Sequence, residues 1–474
     1  MARCLLVGIS LGSVVSCTVL TLSSVLLAYA VTSVQPEAYM DEIFHVRQSL
    51  SYLSGNWSSW DNKITTPPGT YVLFVVFYRI GAWLHILPVS PNMIHFRCFS
   101  ALVSTLNYYV LSLIIPRLTG KHPQMLSLVL STNPVLFFFS AMYYTDQCAL
   151  FFLLSTVYFS LRSWRFPSAI ACACGIAVRQ TNVVWLLFSL GVIASNHVGE
   201  VLFGNHKSAN SPTWIKMLLH SVARQPWKFI YTALVGCLTC YCHLIVALLF
   251  VLFVFWNGGI VLGDRSAHRA VLHIPQLWYF CMFCSACTPI SFGLFVLRFL
   301  ERYRRLALRT TLKFVVYVCL FLILVCFIVL TQAHLSFVHP YLLADNRHYT
   351  FYIWRRVINR TPLVHYSFSV VYALCFVYWL SRLFPSRAMS FQAFVEHTAI
   401  VLCTCACLIP AHLLEFRYFL LPYTIWRLYS SEKPSYLLVE LVLNFVVIVV
   451  TVYLFLVRPF YWTSEPGVLQ RFMW

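Results

Sequence analysis

The sequence predicts an all-α polytopic membrane protein, a bundle of about 12 transmembrane helices. Only 10% of its 474 residues are charged and 60% are hydrophobic, whereas a soluble domain is about 25% charged. Apolar runs of roughly 20 residues, long enough to cross a bilayer as helices, recur from one end of the chain to the other. This composition excludes a soluble enzyme, a disordered protein and a nucleic-acid-binding module.

The predicted spans follow these apolar runs. Because no long polar stretch separates them, residues 1–474 are expected to form a single integrated membrane domain. The spans cover residues 8–33, 96–116, 122–141, 147–163, 167–178, 183–198, 230–255, 274–297, 312–333, 363–382, 391–411 and 436–457.

The basic residues predict how the helices are oriented. The chain has 33 Lys and Arg against 14 Asp and Glu, a net charge of +19, and its cations lie in short loops. Such loops face the cytoplasm. This positive-inside rule is satisfied if both termini are cytoplasmic and if the apolar segment at about 70–87 is re-entrant or interfacial, so that it does not cross the membrane. Most acidic side chains then lie on the opposite, lumenal side, which indicates that chemistry occurs there.

The first lumenal loop, about 34–69, carries a carboxylate and an imidazole on one helical face. Helical spacing brings Asp41, His45 and Gln48 together on a short amphipathic helix at the membrane surface. An acid at a low-dielectric boundary can act as a general base near neutral pH. The alternative is a solvated polar face whose Asp–His pair only orients the loop.

Four further residues in the first half of the chain are candidates for the site, and three of them have two interpretations each. Trp60 and Asp61 form a stacking platform and a hydroxyl acceptor for a sugar, or they belong to a rigid loop with interfacial Trp anchors. Asp146 brings a second carboxylate from a different helix. Arg179 lies at the edge of an apolar run, where a charged residue usually has a function. Alternatively, it is a helix-end side chain that extends to the membrane interface.

Two later lumenal loops combine cations with groups that suit phosphate. The loop of about 256–273 has three glycines followed by Asp264, Arg265 and His268, a pattern that suits an anion, with a tight connection between helices as the alternative. The loop of about 334–362 interleaves basic and aromatic residues, which suits a pyrophosphate flanked by sugars or an interfacial aromatic belt. Further on, Glu415 and Arg417 form an ion pair at the mouth of a span, structural or ligand-binding.

Together these stretches resemble the dolichyl-phosphate-glucose-dependent α-1,2-glucosyltransferases of the endoplasmic reticulum. The resemblance runs in order along nearly the whole chain. It is carried by MDEIFH (40–45), WD (60–61), ITT and PG (64–66 and 68–69), YYT (143–145), RQTN (179–182), NGGIV and GDRS (257–261 and 263–266), DNRHYTFY (345–352), EFRYF (415–419) and RFMW (471–474). The last of these has no role that the sequence explains.

The resemblance implies a GT-C membrane glycosyltransferase of N-glycan precursor assembly, in the endoplasmic reticulum membrane with its active site facing the lumen. The implied donor is dolichyl phosphate glucose and the implied acceptor is the dolichyl-diphosphate oligosaccharide. A β-linked donor and an α product require inversion, for which one base deprotonating the acceptor hydroxyl is the simplest route. GT-C relatives generally carry this base in the first lumenal loop, so the resemblance implies Asp41, with Glu42 as the runner-up.

The remaining polar residues are assigned around the two substrates. Relatives can have Glu at the position of Asp146, an exchange that keeps the carboxylate charge but changes its position. Asp146 is therefore expected to contribute its charge and not to act as a precisely positioned base. Nothing resembles a metal-binding motif, so neither a metal ligand nor a cofactor is expected. The residues expected near the donor and its phosphate are Arg179, Arg265, His268, Arg347 and His348. Those expected near the acceptor are His45, Trp60, Asp61, Asp146, Asp264 and Tyr349.

A membrane transporter or channel-modulating protein is the alternative function. It would use the same polar groups to line a pathway and would distribute them through the spans. Here they gather at one membrane face, which favours the enzyme. Besides the two substrates, the expected partners are membrane lipids, and nucleic acid is not expected to bind.

Overall fold

The computed structural model describes residues 11–118, 123–203, 211–265, 270–309, 311–385, 389–430, 432–463 and 465–474. Helices account for most of these residues, and a two-stranded antiparallel hairpin lies near the end of the chain. The prediction of an all-α polytopic membrane protein is confirmed.

The first half of the chain runs from α1 to α12. A single 3-10 turn, Phe139–Ala141, follows α6. The helices are α1 Leu11–Val34, α2 Glu42–Leu53, α3 Gly69–Trp83, α4 Met93–Leu118, α5 Pro123–Ser131, α6 Pro134–Phe138, α7 Asp146–Leu161, α8 Arg165–Val178, α9 Asn182–Phe203, α10 Ser211–Arg224, α11 Pro226–Leu238 and α12 Tyr241–Asn257.

The second half runs from α13 to the hairpin. A π-helical turn, Ile353–Ile358, follows α17, and a 3-10 turn, Phe416–Phe419, precedes α20. The elements are α13 Pro275–Cys287, α14 Pro289–Arg309, α15 Thr311–His334, α16 Pro340–Ala344, α17 Tyr349–Tyr352, α18 Pro362–Leu383, α19 Phe391–Leu408, α20 Leu420–Leu428, α21 Pro434–Val457, β1 Phe460–Trp462 and β2 Glu465–Gln470.

The number of crossings differs from the prediction. Within the described ranges, seven helices are long and apolar enough to cross a membrane, or up to ten if each of three bent pairs counts as one span. The apolar helices α3, α7 and α8 are shorter. The count of about 12 is therefore not confirmed. The seven long helices are α1, α4, α9, α15, α18, α19 and α21.

Three of the predicted spans are bent. The helix axes turn by 64° between α5 and α6, by 75° between α11 and α12, and by 105° between α13 and α14. Pro134 and Pro289 begin the second helix at two of these breaks. Proline has no amide hydrogen to continue the preceding helix but fits the first turn of a new one.

Helix α3 corresponds to the apolar segment at about 70–87, for which a re-entrant or interfacial position is predicted. It has 15 residues, so it is about 23 Å long, shorter than the roughly 30 Å hydrocarbon core. Its aromatic side chains pack beneath α2, and the Phe74 ring stacks on Phe96 with 4.1 Å between centroids. This aromatic layer is the floor on which the first lumenal loop rests.

The end of the chain lies on the same side of the molecule as Asp41. The guanidinium of Arg471 donates hydrogen bonds to the carbonyl of Val34 at 2.9 Å, where α1 ends, and to that of Phe455 at 2.7 Å, near the end of α21. The C-terminal segment and Asp41 therefore lie on the same side of the membrane. The site cannot be lumenal while the C-terminal segment is cytoplasmic. The prediction that combined them is wrong.

The error arises between α19 and α21, in a segment that was not predicted to cross. At one end Arg417 pairs with Asp41 at 3.3 Å. At the other end Glu432 pairs at 2.9 Å with Arg382, in the last turn of α18. Between them the fully buried α20 carries the chain through the bundle. Its nine residues are too short an apolar run for the sequence to predict a span.

A buried ion pair stabilises this part of the bundle. Arg427 of α20 lies 2.5 Å from Glu440 of α21, and neither side chain is more than 1% exposed. Charges removed from water must be paired, and loss of one partner leaves the other uncompensated. We therefore expect the pair to matter more than any ion pair on the surface.

Arg427→Met is expected to lower the free energy of unfolding by about 3–5 kcal/mol, because Glu440 loses its partner while Glu432 keeps Arg382. The measurement is thermal unfolding of the detergent-solubilised protein. The double variant Arg427→Met, Glu440→Met should recover most of the loss. The matched control is Arg304→Met, whose exposed pair with Glu301 should leave the melting temperature unchanged. A single variant as stable as the parent would contradict this expectation.

Candidate active site

Asp41 lies where two cavities meet. It immediately precedes α2, and its side chain is 44% exposed, towards cavities of about 620 Å³ each. One, the loop cavity, is lined by Asp345, Asn346, Arg347, His348, Thr350, Trp462 and Thr463, among others. The other, the helix cavity, is lined by His45, Lys63, Thr65, Arg179, Trp185, Asp264, Cys407, His412, Leu421 and Pro422, among others. Asp41, Leu413, Glu415 and Arg417 line both.

Arg417 is surrounded by three carboxylates at this junction. Its guanidinium lies 2.7 Å from Glu415, 3.3 Å from Asp41 and 3.9 Å from Asp146. It also lies over the ring of Tyr144, 5.0 Å from the centroid. Only 11% of the Arg417 side chain is exposed, so these carboxylates and the Tyr144 ring compensate most of the water that its charge has lost. Burial lowers the pKa of Arg417, but the surrounding carboxylates outweigh burial and raise it well above its ordinary value.

The electrostatics keep Asp41 ionised. Burial by itself raises the pKa of Asp41, but the charge and hydrogen bond of Arg417, together with His45 and His348, outweigh burial and hold the pKa below its ordinary value of 3.8. Burial lowers the pKa of His45 to about 4, against the opposing effect of Asp41. Near neutral pH, Asp41 is therefore an anion and His45 a neutral imidazole.

Glu42, the neighbouring carboxylate, faces away from both cavities. It is fully buried in an ion pair with Arg97 of α4, with 2.7 Å between charged atoms. It also accepts hydrogen bonds from the backbone N–H groups of Tyr39 and Tyr143, at 3.1 and 2.7 Å. Every contact of this carboxylate serves to anchor the start of α2. A proton acceptor for a substrate needs a free oxygen facing a cavity, which Glu42 does not have.

His45 lines the helix cavity, but Trp60 and Asp61 line neither cavity. The Nδ1 atom of His45 is 2.8 Å from the hydroxyl of Tyr71. Asp61 belongs to a braced turn, in which its carboxylate accepts a hydrogen bond from the Lys63 N–H at 3.0 Å. The Trp60 ring packs 6.2 Å from that of Tyr71. Trp60 and Asp61, which were expected near the acceptor, therefore stabilise the loop that supports the site.

Asp146 and Arg179 form a pair beneath the helix cavity. Their charged atoms are 2.6 Å apart, and Asp146 is completely buried while Arg179 is 12% exposed. Arg179 lines the cavity and Asp146 does not. The structure therefore gives Asp146 the charge-balancing position, behind Arg179 and Arg417, and not a position against a substrate.

The glycine-rich loop packs against the first lumenal loop. Gly263 has φ +59°, and a Cβ atom there would lie 2.3 Å from the carbonyl oxygen of Asn62, so only glycine fits. Asp264 lines the helix cavity. Arg265 donates to carbonyls of its own loop, including that of Gly258 at 2.9 Å, and lines neither cavity. His268 lies outside the described residues.

Arg347 and His348 line the loop cavity, and both are already paired. Arg347 lies 2.7 Å from Asp345 and stacks over the ring of Trp462, 4.4 Å from the centroid. The Nδ1 atom of His348 is 2.9 Å from the carbonyl of Trp474. Tyr349 packs against Trp474 and does not line the cavity. A cation balanced by a carboxylate and stacked on an indole suits a sugar better than a phosphate.

Sequence reasoning missed several residues that the structure brings to the junction. Glu415 and Arg417 were noted only as a pair with each other, because nothing local links Arg417 to a partner 376 residues earlier in the chain. Trp462 gave no signal, since its segment was expected on the other side of the membrane. The other residues not assigned beforehand are Lys63, Thr65, Thr66, Tyr144, Gln180 and His412.

This arrangement can support a group transfer between two bound molecules. An ionised carboxylate at the junction can accept a proton from a hydroxyl that enters from one cavity. Arg179 and Arg417 can stabilise an anion that departs into the other. Within the described ranges, no group of three or more His, Cys, Asp or Glu side chains could hold a metal ion.

The chain is similar to known proteins over almost its whole length. It is 33% identical to a Dol-P-Glc:Glc(2)Man(9)GlcNAc(2)-PP-Dol alpha-1,2-glucosyltransferase of Homo sapiens, across 98% of this chain and 99% of that relative. Relatives of the same name from Mus musculus and Arabidopsis thaliana are 34% and 30% identical, each across 98% of this chain and 99% and 100% of their own length. Residues 35–428 match the model of the DIE2/ALG10 family. The chain therefore belongs to the DIE2/ALG10 family.

Proposed function

We propose that the protein transfers glucose from dolichyl phosphate glucose to the terminal glucose of a dolichyl-diphosphate-linked oligosaccharide, forming an α-1,2 linkage. The relatives compared above carry the name of this activity and align with this chain from end to end. The observation that carries the proposal for the site is the position of Asp41, an ionised carboxylate at the junction of two cavities. The transporter alternative has no support among these relatives.

The two cavities suit the two substrates. The helix cavity is bordered by apolar side chains of three membrane helices, including Trp185 and Leu421, and by Arg179 near the junction. This combination suits a lipid whose phosphate sits at the membrane surface, so the cavity receives the donor. The loop cavity is lined by the Asp345–Arg347 pair, Asn346 and Trp462, polar and aromatic side chains of the kinds that bind sugars, so it receives the acceptor.

In the proposed reaction Asp41 is the base. Its carboxylate takes the proton of the acceptor hydroxyl while that oxygen attacks the anomeric carbon of glucose. The bond from this carbon to the phosphate oxygen breaks, and dolichyl phosphate leaves as an anion stabilised by Arg179 and Arg417. A carboxylate of low pKa is a weak base towards a free alcohol. Proton transfer becomes favourable as the attacking oxygen bonds to carbon and its proton becomes acidic.

The same geometry supports changed roles for several residues. Glu42 anchors the loop, and Asp146 balances the charge of Arg179 and Arg417. Arg347 and His348, expected near phosphate, belong to the acceptor side in this proposal. Asp264 and His45 both border the donor cavity. Trp60, Asp61, Arg265 and Tyr349 act through the loops that they support.

The proposal includes a location and an organisation. Residues 1–474 form one membrane domain of the endoplasmic reticulum, with the base on the loop of about 34–69. The loops of about 256–273 and 334–362 border the substrates. The active site faces the lumen, where the acceptor oligosaccharide is completed. The N-terminus is then cytoplasmic and the C-terminal segment lumenal, so the number of crossings is odd.

The activity is tested with the full-length protein in microsomes from cells that lack their own terminal glucosyltransferase. With dolichyl phosphate glucose and an acceptor carrying two glucoses, the lipid-linked oligosaccharide should gain one hexose by mass. Digestion with linkage-specific glucosidases should identify an α-1,2 bond. A protein present in the membrane that adds no hexose would end the proposal.

Asp41→Asn is expected to reduce transfer at least about a hundredfold, because the amide cannot accept the proton. Its melting temperature should be close to that of the parent, since Asn keeps the size of the side chain. Glu37→Gln, an exposed acid of the same loop, is the matched control and should retain activity. If Asp41→Asn turns over normally, the base is another group.

The pH dependence follows from the charge at the junction. The pKa of Asp41 lies below 3.8 and that of His45 at about 4, so kcat/KM should not fall as pH is lowered from about 8 to about 5. Arg417→Gln removes the charge that lowers the pKa of Asp41. In this variant kcat should be lower and the acid limb should move up into the measured range. An acid limb near pH 6.5 in the parent protein would contradict the assignment.

A further inference from the structure

Residues 471–474, the C-terminal strap, connect the ends of two helices. The guanidinium of Arg471 is buried and donates to the carbonyls of Val34, Phe455 and Leu456, at 2.9, 2.7 and 3.2 Å. These carbonyls belong to the last turns of α1 and α21, where helical hydrogen bonding leaves them free and where the helix dipoles favour a cation. Arg471 therefore couples α1, which leads into the first lumenal loop, to α21.

The strap also contacts the residues next to Asp41. The hydroxyl of Tyr39 donates to the carbonyl of Arg471 at 2.9 Å and accepts from its N–H at 2.8 Å. Tyr39 is 6% exposed, and its N–H donates to Glu42 at 3.1 Å. The chain is thus held on both sides of Met40 and Asp41, by the strap before them and by the buried Glu42 after them.

The backbone between these two anchors is strained. Met40 has φ +56°, a left-handed conformation that is unfavourable for a residue with a side chain. Such a conformation persists only when its surroundings impose it. Here the surroundings are the hydrogen bonds of Tyr39 and Glu42. The direction in which Asp41 leaves the backbone therefore depends on both anchors.

At its other end the strap pairs with the backbone of residues 347–349, two of which, Arg347 and His348, line the loop cavity. The N–H of Met473 donates to the carbonyl of Arg347 at 2.9 Å, and its carbonyl accepts from the N–H of Tyr349 at 3.0 Å. The carbonyl of Trp474 contacts the ring of His348. One four-residue segment thus sets both the direction of Asp41 and the backbone that presents Arg347 and His348.

We propose that the C-terminal strap is a positioning device for glucosyl transfer, with Tyr39 and Arg471 as positioning residues that aim Asp41 at the acceptor hydroxyl. The inference rests on the proposed function and goes beyond it, because neither residue touches a cavity. It accounts for the one motif, at 471–474, for which the sequence offered no role.

The decisive variant is Tyr39→Phe in the purified full-length protein. It keeps the buried ring and removes the hydroxyl that joins the loop to the strap. We expect kcat to fall about tenfold, since a misplaced base loses rate without losing substrate. The KM for dolichyl phosphate glucose should stay within about twofold, because the donor cavity is untouched. Backbone amides at 39–45 should exchange hydrogen faster than in the parent.

A second variant separates positioning from stability. Met40→Gly relieves the strained φ, but it removes a partly buried side chain and gives the loop more freedom when unfolded. The kcat per folded molecule should fall as in Tyr39→Phe, whatever the change in melting temperature. Tyr461→Phe, which removes the hydroxyl of a 60% exposed tyrosine on the hairpin, is the matched control and should leave kcat unchanged. Arg471→Ala is the less informative change, because it could prevent folding.

Each result decides the proposal. A Tyr39→Phe protein with the parent kcat overturns the positioning role while leaving the glucosyltransferase proposal intact. So does a loss of activity that only mirrors a smaller folded fraction, with unchanged turnover per folded molecule. If the parent protein transfers no glucose, the proposed function itself fails, and the positioning role fails with it. A lower kcat with an unchanged donor KM in both variants supports the inference.

Discussion

A charged side chain that is buried near a membrane must be paired within the protein. Arg417 is paired with three carboxylates. Asp41, Glu415 and Asp146 come from segments far apart in the chain, and all converge on this one guanidinium. Their convergence brings the start of α2, the start of α7 and the turn before α20 together. The two cavities meet at this point, so the ion cluster fixes where a reaction can occur.

Two neighbouring acids illustrate how burial divides roles. Glu42 has all its capacity for hydrogen bonds filled by Arg97 and by backbone N–H groups, so it stabilises the loop and cannot exchange a proton with a substrate. Asp41 keeps part of its carboxylate towards open space and is held ionised by Arg417. In the proposed reaction the first acid provides the rigidity that the second requires, because a base works only when it is held in place.

The path of the last hundred residues completes the site. The short buried α20 returns the chain to the opposite side, and α21 then brings the hairpin and the C-terminal strap back to Asp41. Trp462 thereby reaches the loop cavity, where Arg347 stacks on it. Nine helical residues can run through the interior of the bundle because their polar groups lie within protein and not in lipid.

Local properties of the sequence determined much of this protein. Composition and the length of apolar runs predicted a polytopic helical bundle. The positions of the basic loops along the chain predicted that α3 does not cross the membrane. Helical spacing brought Asp41 and His45 to one surface. These features depend on neighbouring residues, so the sequence expresses them directly. Only the tertiary structure decided which acid faces the cavities, that Arg417 is its partner, and on which side the chain ends. Those outcomes depend on how distant helices pack, which no local pattern encodes.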